Sequence, residues 1–272
     1  MNARPGPPAL ASPPKEGWHP LEWAAELLGT FALVLGGLSA VCLDFGAGSP
    51  IPRLIPSASL RLLVTGLLFA GTGSLVAISP LGRRSGAHLN PCVTLAFWVS
   101  GHVSRSDLLG YITAQLAGAL LGALALAAAW GRVAASLKDA LTQPQPGVGT
   151  PQAIAIEALM TAVLVLTLFT FTSVRRLVRL TPLGLWVVIA LLVWRGAPYT
   201  GCSLNPARSL GPALVAGDLH QLFVYLVGPP LGAVLAAGLF RRLPGSLRPL
   251  TAKLFHDPRF RSVLGSDLPH RS

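Results

Sequence analysis

Two stretches of this chain carry the same polar pattern inside mostly apolar surroundings, Ser85-Gly86-Ala87-His88-Leu89-Asn90-Pro91 and Thr200-Gly201-Cys202-Ser203-Leu204-Asn205-Pro206. Each reads Ser/Thr-Gly-x-x-Leu-Asn-Pro. An asparagine before a proline is a helix start: the Asn side chain accepts a bond from a first-turn amide, and Pro fills the first helical position without wasting a donor. The Asn amide still has N–H groups to offer a passing oxygen. A helix N-terminus also carries roughly half a positive charge. Two such ends brought together make a spot that water or a neutral hydroxyl can cross and that repels cations, protons included. Arg208, in the first turn after Asn205-Pro206-Ala207, adds a fixed guanidinium that donates to neutral solutes. Catalysis is not indicated, because no Ser/His/Asp set, metal cluster or nucleophile with a base stands out. The three cysteines, Cys42, Cys92 and Cys202, are odd in number and lack metal-ligand spacing. No cofactor, metal site or disulfide framework is expected.

A second pair repeats with the first. Glu26 in Ala25-Glu26-Leu27-Leu28-Gly29-Thr30 and Glu157 in Ile156-Glu157-Ala158-Leu159-Met160-Thr161 each precede a Leu/Val run. A carboxylate in such a run is expensive, so it needs partners or water. The reading preferred for both is structural, accepting hydrogen bonds from the backbone of a motif loop; a proton relay is the alternative. His88 is read in the same way, as a buried histidine bracing its loop rather than a pH sensor.

These residues need elements to hold them. With 52% hydrophobic and 11% charged residues and a mean hydropathy of +0.60, the chain lies far below the roughly 25% charge of a soluble domain. Apolar runs at about 23–43, 60–80, 108–130, 152–173, 180–194 and 219–240 are each near the ~20 residues that span a bilayer core. Their Ala, Leu and Gly content, without long alternation, predicts an all-α membrane protein rather than a β-barrel. Residues 1–20, with Pro5, Pro7, Pro8, Pro13 and Pro14, read as a disordered Pro-rich tail, and 243–272 as a basic, solvent-facing one. Between them, 21–242 divides into halves of about 21–131 and 150–242. The Arg83-Arg84 pair and the Arg175-Arg176-Arg179 loop place both termini in the cytoplasm by the positive-inside rule. The net charge of +11 therefore needs only the lipid bilayer as partner, and no nucleic acid.

Topology turns the repeat into a mechanism. Each half runs span, span, Asn-Pro loop, span; three spans is an odd number, so the halves insert upside down relative to each other. The segments after Asn90 and Asn205, about 91–99 and 206–215, amount to ~15 Å of helix at 1.5 Å per residue, half a bilayer. Six transmembrane helices plus two re-entrant half-helices, meeting near the midplane from opposite faces, are expected.

This ordered set, the two Asn-Pro boxes, the two membrane glutamates and the run Tyr199 to Ser209, resembles the aquaporin family, the major intrinsic proteins, over about residues 20–242. The resemblance implies a passive channel, usually a homotetramer with one pore per subunit, in the cell membrane, moving water or small uncharged solutes. Its pore residues fall on Asn90, Pro91, Cys92, Asn205, Pro206 and Ala207. Cys92 departs from the usual alanine, and as a small inert thiol it alters local pore shape rather than chemistry. Ungapped register from the motifs puts the family's selectivity filter at Ala70, Val193, Cys202 and Arg208. Strict water channels typically carry Phe and His at the first two. Small apolar residues there widen the constriction, which favours glycerol, urea or neutral metalloid hydroxides beside water. The glycerol-facilitator pattern is not reproduced either, since Ser209 rather than Asp follows Arg208. The rival from another class is a secondary transporter, which also uses inverted repeats and broken helices; Glu26 and Glu157 are its only candidate coupling carboxylates.

Overall fold

The computed structural model describes residues 10–243 and 248–269; the disorder expected for residues 1–9 lies outside them. Among the described residues six helices are long and apolar enough to cross a membrane. Four of them are α1 (Pro20–Phe45), α2 (Ala58–Ile78), α4 (Arg105–Trp130) and α5 (Thr150–Ser173). The other two are α6 (Thr181–Thr200) and α8 (Leu222–Phe240). Two short helices open at the motifs, α3 (Pro91–Val99) and α7 (Pro206–Ala216).

Local chemistry sets the starts. Ser57 and Ser104 cap α2 and α4, their hydroxyls accepting from Leu60 N at 3.3 Å and Asp107 N at 3.1 Å. Helix α6 runs well past the apolar stretch 180–194, because Arg195 ends apolarity but not backbone hydrogen bonding. Its guanidinium folds over the Trp194 ring, 5.0 Å from the centroid, and the helix stops only where Gly201 turns left-handed at φ +75°.

The helices pair in two matching sets. Helix α1 packs on α4 and α2, and α5 packs on α8 and α6. The tightest crossings use glycine. A Cβ on Gly118 of α4 would lie 2.2 Å from the Leu27 carbonyl oxygen of α1, and one on Gly232 of α8 would lie 2.0 Å from that of Ala158 in α5. Small residues here let backbones approach as membrane helices require. Helices α3 and α7 sit inside, walled by α4, α8 and each other.

The reading of the C-terminal segment as a solvent-facing tail is corrected by the structure. Residues 248–269 fold back under the bundle. Leu250 N donates to Thr172 O at the end of α5 (2.8 Å), and Gly265 N to His102 O in the α3–α4 turn (2.8 Å). Ser12 and Ser266 exchange two backbone bonds of 2.8 Å, so part of the N-terminal tail is ordered as well. Ala252, Lys253, Leu254 and Leu264 are buried. Composition suggested solvent because the segment is basic, yet Arg248, Lys253, Asp257, Arg259 and Asp267 are paired within the fold. Arg259 and Arg83 clasp Asp257 at 2.7 and 3.0 Å, holding its carboxyl well below the usual range. Lys253 Nζ donates to the carbonyl of Arg83 at 2.6 Å and to those of Phe260 and Arg261 at 3.3 Å.

Candidate functional site

The two motif loops are built by one plan. Asn90 caps α3 through Oδ1, which accepts from Cys92 N at 2.8 Å; Asn205 caps α7, accepting from Ala207 N at 3.0 Å and Arg208 N at 3.4 Å. Each then crosses to the other loop. Asn90 Nδ2 donates to Leu204 O and Asn205 Nδ2 donates to Leu89 O, both at 2.9 Å. An amide nitrogen has two hydrogens, so each Asn keeps one donor beyond this reciprocal clasp. Pro91 and Pro206 fill the first helical positions, while Cys92 and Ala207, both fully buried, follow them at the crossing.

The loops leading into the caps are strained. Gly86 (φ +99°), Ala87 (+57°) and Leu89 (+53°) match Gly201 (+75°), Cys202 (+51°) and Leu204 (+59°). A left-handed non-glycine residue costs roughly 1–2 kcal/mol, so something must hold the turn. The buried glutamates do this. Glu26 accepts from Ser85 Oγ (2.7 Å), His88 N (3.0 Å), Leu89 N (2.7 Å) and Gln115 Nε2 (2.8 Å). Glu157 accepts from Thr200 Oγ1 (2.7 Å), Ser203 N (2.9 Å) and Leu204 N (3.0 Å). Each carboxylate thus accepts from two loop amides and from side-chain donors beside them.

Two cavities adjoin at the crossing and share Phe69, Ile189, Ser203 and Leu204 as lining. The first, about 90 Å³, is lined by Ala70, His88, Asn90 and Asn205 and by the ends of α2 and α6 at Ala77, Pro182 and Leu185. The second, about 320 Å³, is lined by Thr65, Val193, Cys202 and Arg208. Three of the four residues that register assigns to a filter therefore share one cavity, and Ala70 lies in the other. Phe69, one residue earlier, lines both cavities and puts its ring 5.8 Å from the Arg208 guanidinium carbon. A one-residue step turns a helix side chain by about 100°, so Ala70 lines only the first cavity. Arg208 Nη1 donates to Ala140 O at 3.0 Å, which fixes the charge against the wall of the second cavity.

His88 does more than brace its own loop. Its Nε2 faces the Ala252 carbonyl at 2.8 Å, and since a carbonyl only accepts, the proton sits on Nε2 and Nδ1 accepts from Thr94 Oγ1 at 3.1 Å. The ring stacks on Phe97 with centroids 5.1 Å apart.

Sequence reasoning passed over the tyrosines. Tyr111 OH donates to Ser85 O at 2.7 Å and Tyr225 OH to Thr200 O at 2.6 Å, one tether per loop. Tyr111 and Gln115, four apart and therefore on one helix face, were the available signal: two polar side chains stacked on one face of a span rich in Ala, Gly and Leu. Nothing comparable marked Leu254, which lines the first cavity from outside the bundle.

Comparison with known proteins agrees with this architecture. A family model described as major intrinsic protein matches residues 20–240. Aquaporin-6 of Mus musculus is 36% identical over 222 residues, covering 80% of this chain and 72% of that protein. The probable aquaporin AqpM of Archaeoglobus fulgidus is 36% identical over 236 residues, covering 81% and 96%. A glycerol uptake facilitator protein-like protein of Lactiplantibacillus plantarum is 33% identical over 219 residues, covering 79% and 94%. Among solved structures, the aquaglyceroporin from Plasmodium falciparum superposes with a TM-score of 0.66 at 22% identity, covering 82% of this chain and 96% of that one, a likeness of fold.

Proposed function

The chain belongs to the major intrinsic protein family and is a multi-pass membrane channel for water and small solutes, neither a transporter nor an enzyme; we propose that its two cavities are one pore, crossed at the meeting of two re-entrant half-helices. The observation that carries this reading is the reciprocal clasp of Asn90 on Leu204 O and Asn205 on Leu89 O, which joins two helix N-termini head to head. Opposed N-termini make that point positive, and the spare Asn donors hold a solute oxygen in passing. Equivalent loops, equivalent glutamates and matched helix pairs support an inverted repeat, with both termini cytoplasmic by the placement of Arg83-Arg84 and Arg175-Arg176-Arg179.

The filter in this reading is Phe69, Val193, Cys202 and Arg208, with Ala70 widening the pore just beyond it. Phe69 restores one aromatic wall, while Val193 leaves no imidazole opposite Arg208. Small neutral solutes such as glycerol and urea then pass with water, oriented by Arg208 against an apolar wall. Family membership supports a homotetramer with a pore in each subunit, in the cell membrane. Stopped-flow light scattering on proteoliposomes is the test. Glycerol and urea entry beside osmotic water flux is expected, and water movement alone would contradict the filter as composed here.

A further inference from the structure

We propose that residues 248–269 form a built-in plug that closes the end of the pore remote from Arg208, with Leu254 as the stopper. The proposal rests on the two cavities being one pore. The first cavity is bounded at that end by Ala77, Pro182 and Leu185, and the residue that closes it from outside the bundle is Leu254. Its side chain is 8% exposed, so little water reaches it from either side. At about 90 Å³ this cavity is much smaller than its neighbour of about 320 Å³.

The segment is keyed to the motif loop rather than merely resting on it. Leu254 N donates to Gly86 O at 3.0 Å, and Ala252 O accepts from His88 Nε2 at 2.8 Å. Both partners belong to the loop that lines the cavity, and one of them, His88, lines it directly, so docking occupies a ring N–H on the cavity wall. The fit is close. A Cβ on Gly86 would stand 2.9 Å from Leu264 Cδ1 and 3.2 Å from Ala252 O. Lys253, fully buried, ties the segment to Arg83 O at 2.6 Å, and Arg83 in turn pairs with Asp257. The second loop is braced differently. Gln145 N donates to Tyr199 O (2.9 Å) and Thr142 Oγ1 meets Ser209 Oγ (2.7 Å), yet the cavity there remains the larger. A chain that only needed its loops braced has no use for an isobutyl group in the narrower cavity. A plug does.

The segment is held by hydrogen bonds, ion pairs and the burial of Ala252, Leu254 and Leu264, while the six spans pack on one another, so undocking exposes apolar surface at one end of the bundle without breaking the helix pairs. The docked and released forms are then two states of one channel, and whatever binds the released segment opens the pore.

Three chains in proteoliposomes test this: the intact chain, one ending at Leu243, and the full-length Leu254→Ala variant, which keeps the backbone docking bonds. Water permeability per channel should rise about tenfold on truncation if docked outweighs released by ten to one, and several-fold in Leu254→Ala. Limited trypsin digestion reads docking independently, with Lys253 protected in the intact chain and in Leu254→Ala. The plug is overturned by equal permeability in intact chain and Leu254→Ala with Lys253 protected in both, or by ready cleavage at Lys253 in the intact chain. If the truncated chain fails to fold, the Leu254→Ala comparison decides alone. A flux that Arg208→Val alters but that neither tail change affects would overturn the plug and leave the pore reading intact.

Discussion

The loop before Asn90 and the loop before Asn205 share one set of braces and differ in the side chains set around their asparagines. Each has a Gly in the left-handed region, a buried Glu on its amides, a Tyr tether on its first carbonyl and an Asn that clasps the other loop. Three residues past each Asn, the second half has Arg208 where the first has Val93; two residues before, it has Ser203 where the first has His88. The shared parts hold a strained backbone, which is a geometric task and tolerates little variation. The divergent parts set charge and access, so the second cavity carries the Arg208 charge while the first, at His88, meets the C-terminal segment. The shared parts supply the frame, and the differences between the two loops supply its direction.

The equivalence of the loops breaks most severely if one glutamate proves dispensable. Glu26→Leu and Glu157→Leu each leave two buried backbone N–H groups unpaired, and at about 1–3 kcal/mol per donor either change destabilises the fold by roughly 2–6 kcal/mol. Both variants should lose monodisperse protein in detergent and show a lowered unfolding temperature. A well-folded variant at either position would show that its loop is held by something else.

Arg208→Val copies the first loop's residue into the second and sharpens the contrast in charge. Glycerol and urea permeation should rise several-fold and a cation conductance should appear, while water flux persists. Unchanged selectivity would place the filter elsewhere. Tyr111→Phe and Tyr225→Phe each remove one buried hydrogen bond and should cost about 1 kcal/mol apiece, seen as similar small drops in unfolding temperature; unequal drops would reveal which loop carries more strain.

Much of this was legible in the residues and some was not. Asn-Pro caps, apolar runs and the paired glutamates are local chemistry, and they placed eight helices and the loop braces. That Phe69 rather than Ala70 faces Arg208 was not legible, because facing is a direction in space and one residue along a helix changes it by about 100°. The docking of 248–269 was hidden for a different reason. Arg248, Lys253, Asp257, Arg259 and Asp267 look like solvated charge in sequence, and only folding pairs them with each other and with carbonyls of the bundle.

A pH dependence also distinguishes the two ends of the pore. Burial pushes Lys253 down to about 8 from 10.5, opposed by Glu22 of α1 and Asp257 and helped by Arg84. Below pH 8 docked and released forms both hold the proton, so docking is weakest there. Between 8 and 10.5 the segment sheds a proton as it docks, and docking tightens as pH rises. Water flux through the intact chain should fall across this window, and flux through the chain ending at Leu243 should stay level.

The most direct measurement is osmotic shrinkage of proteoliposomes by stopped-flow light scattering, with the intact chain and the chain ending at Leu243 run side by side. Water flux proportional to the osmotic gradient in both, faster without the C-terminal segment and accompanied by glycerol and urea entry, is the expected result. Flux that saturates, or no protein-dependent flux from either chain when both are folded, would contradict a pore built at the clasp of Asn90 and Asn205.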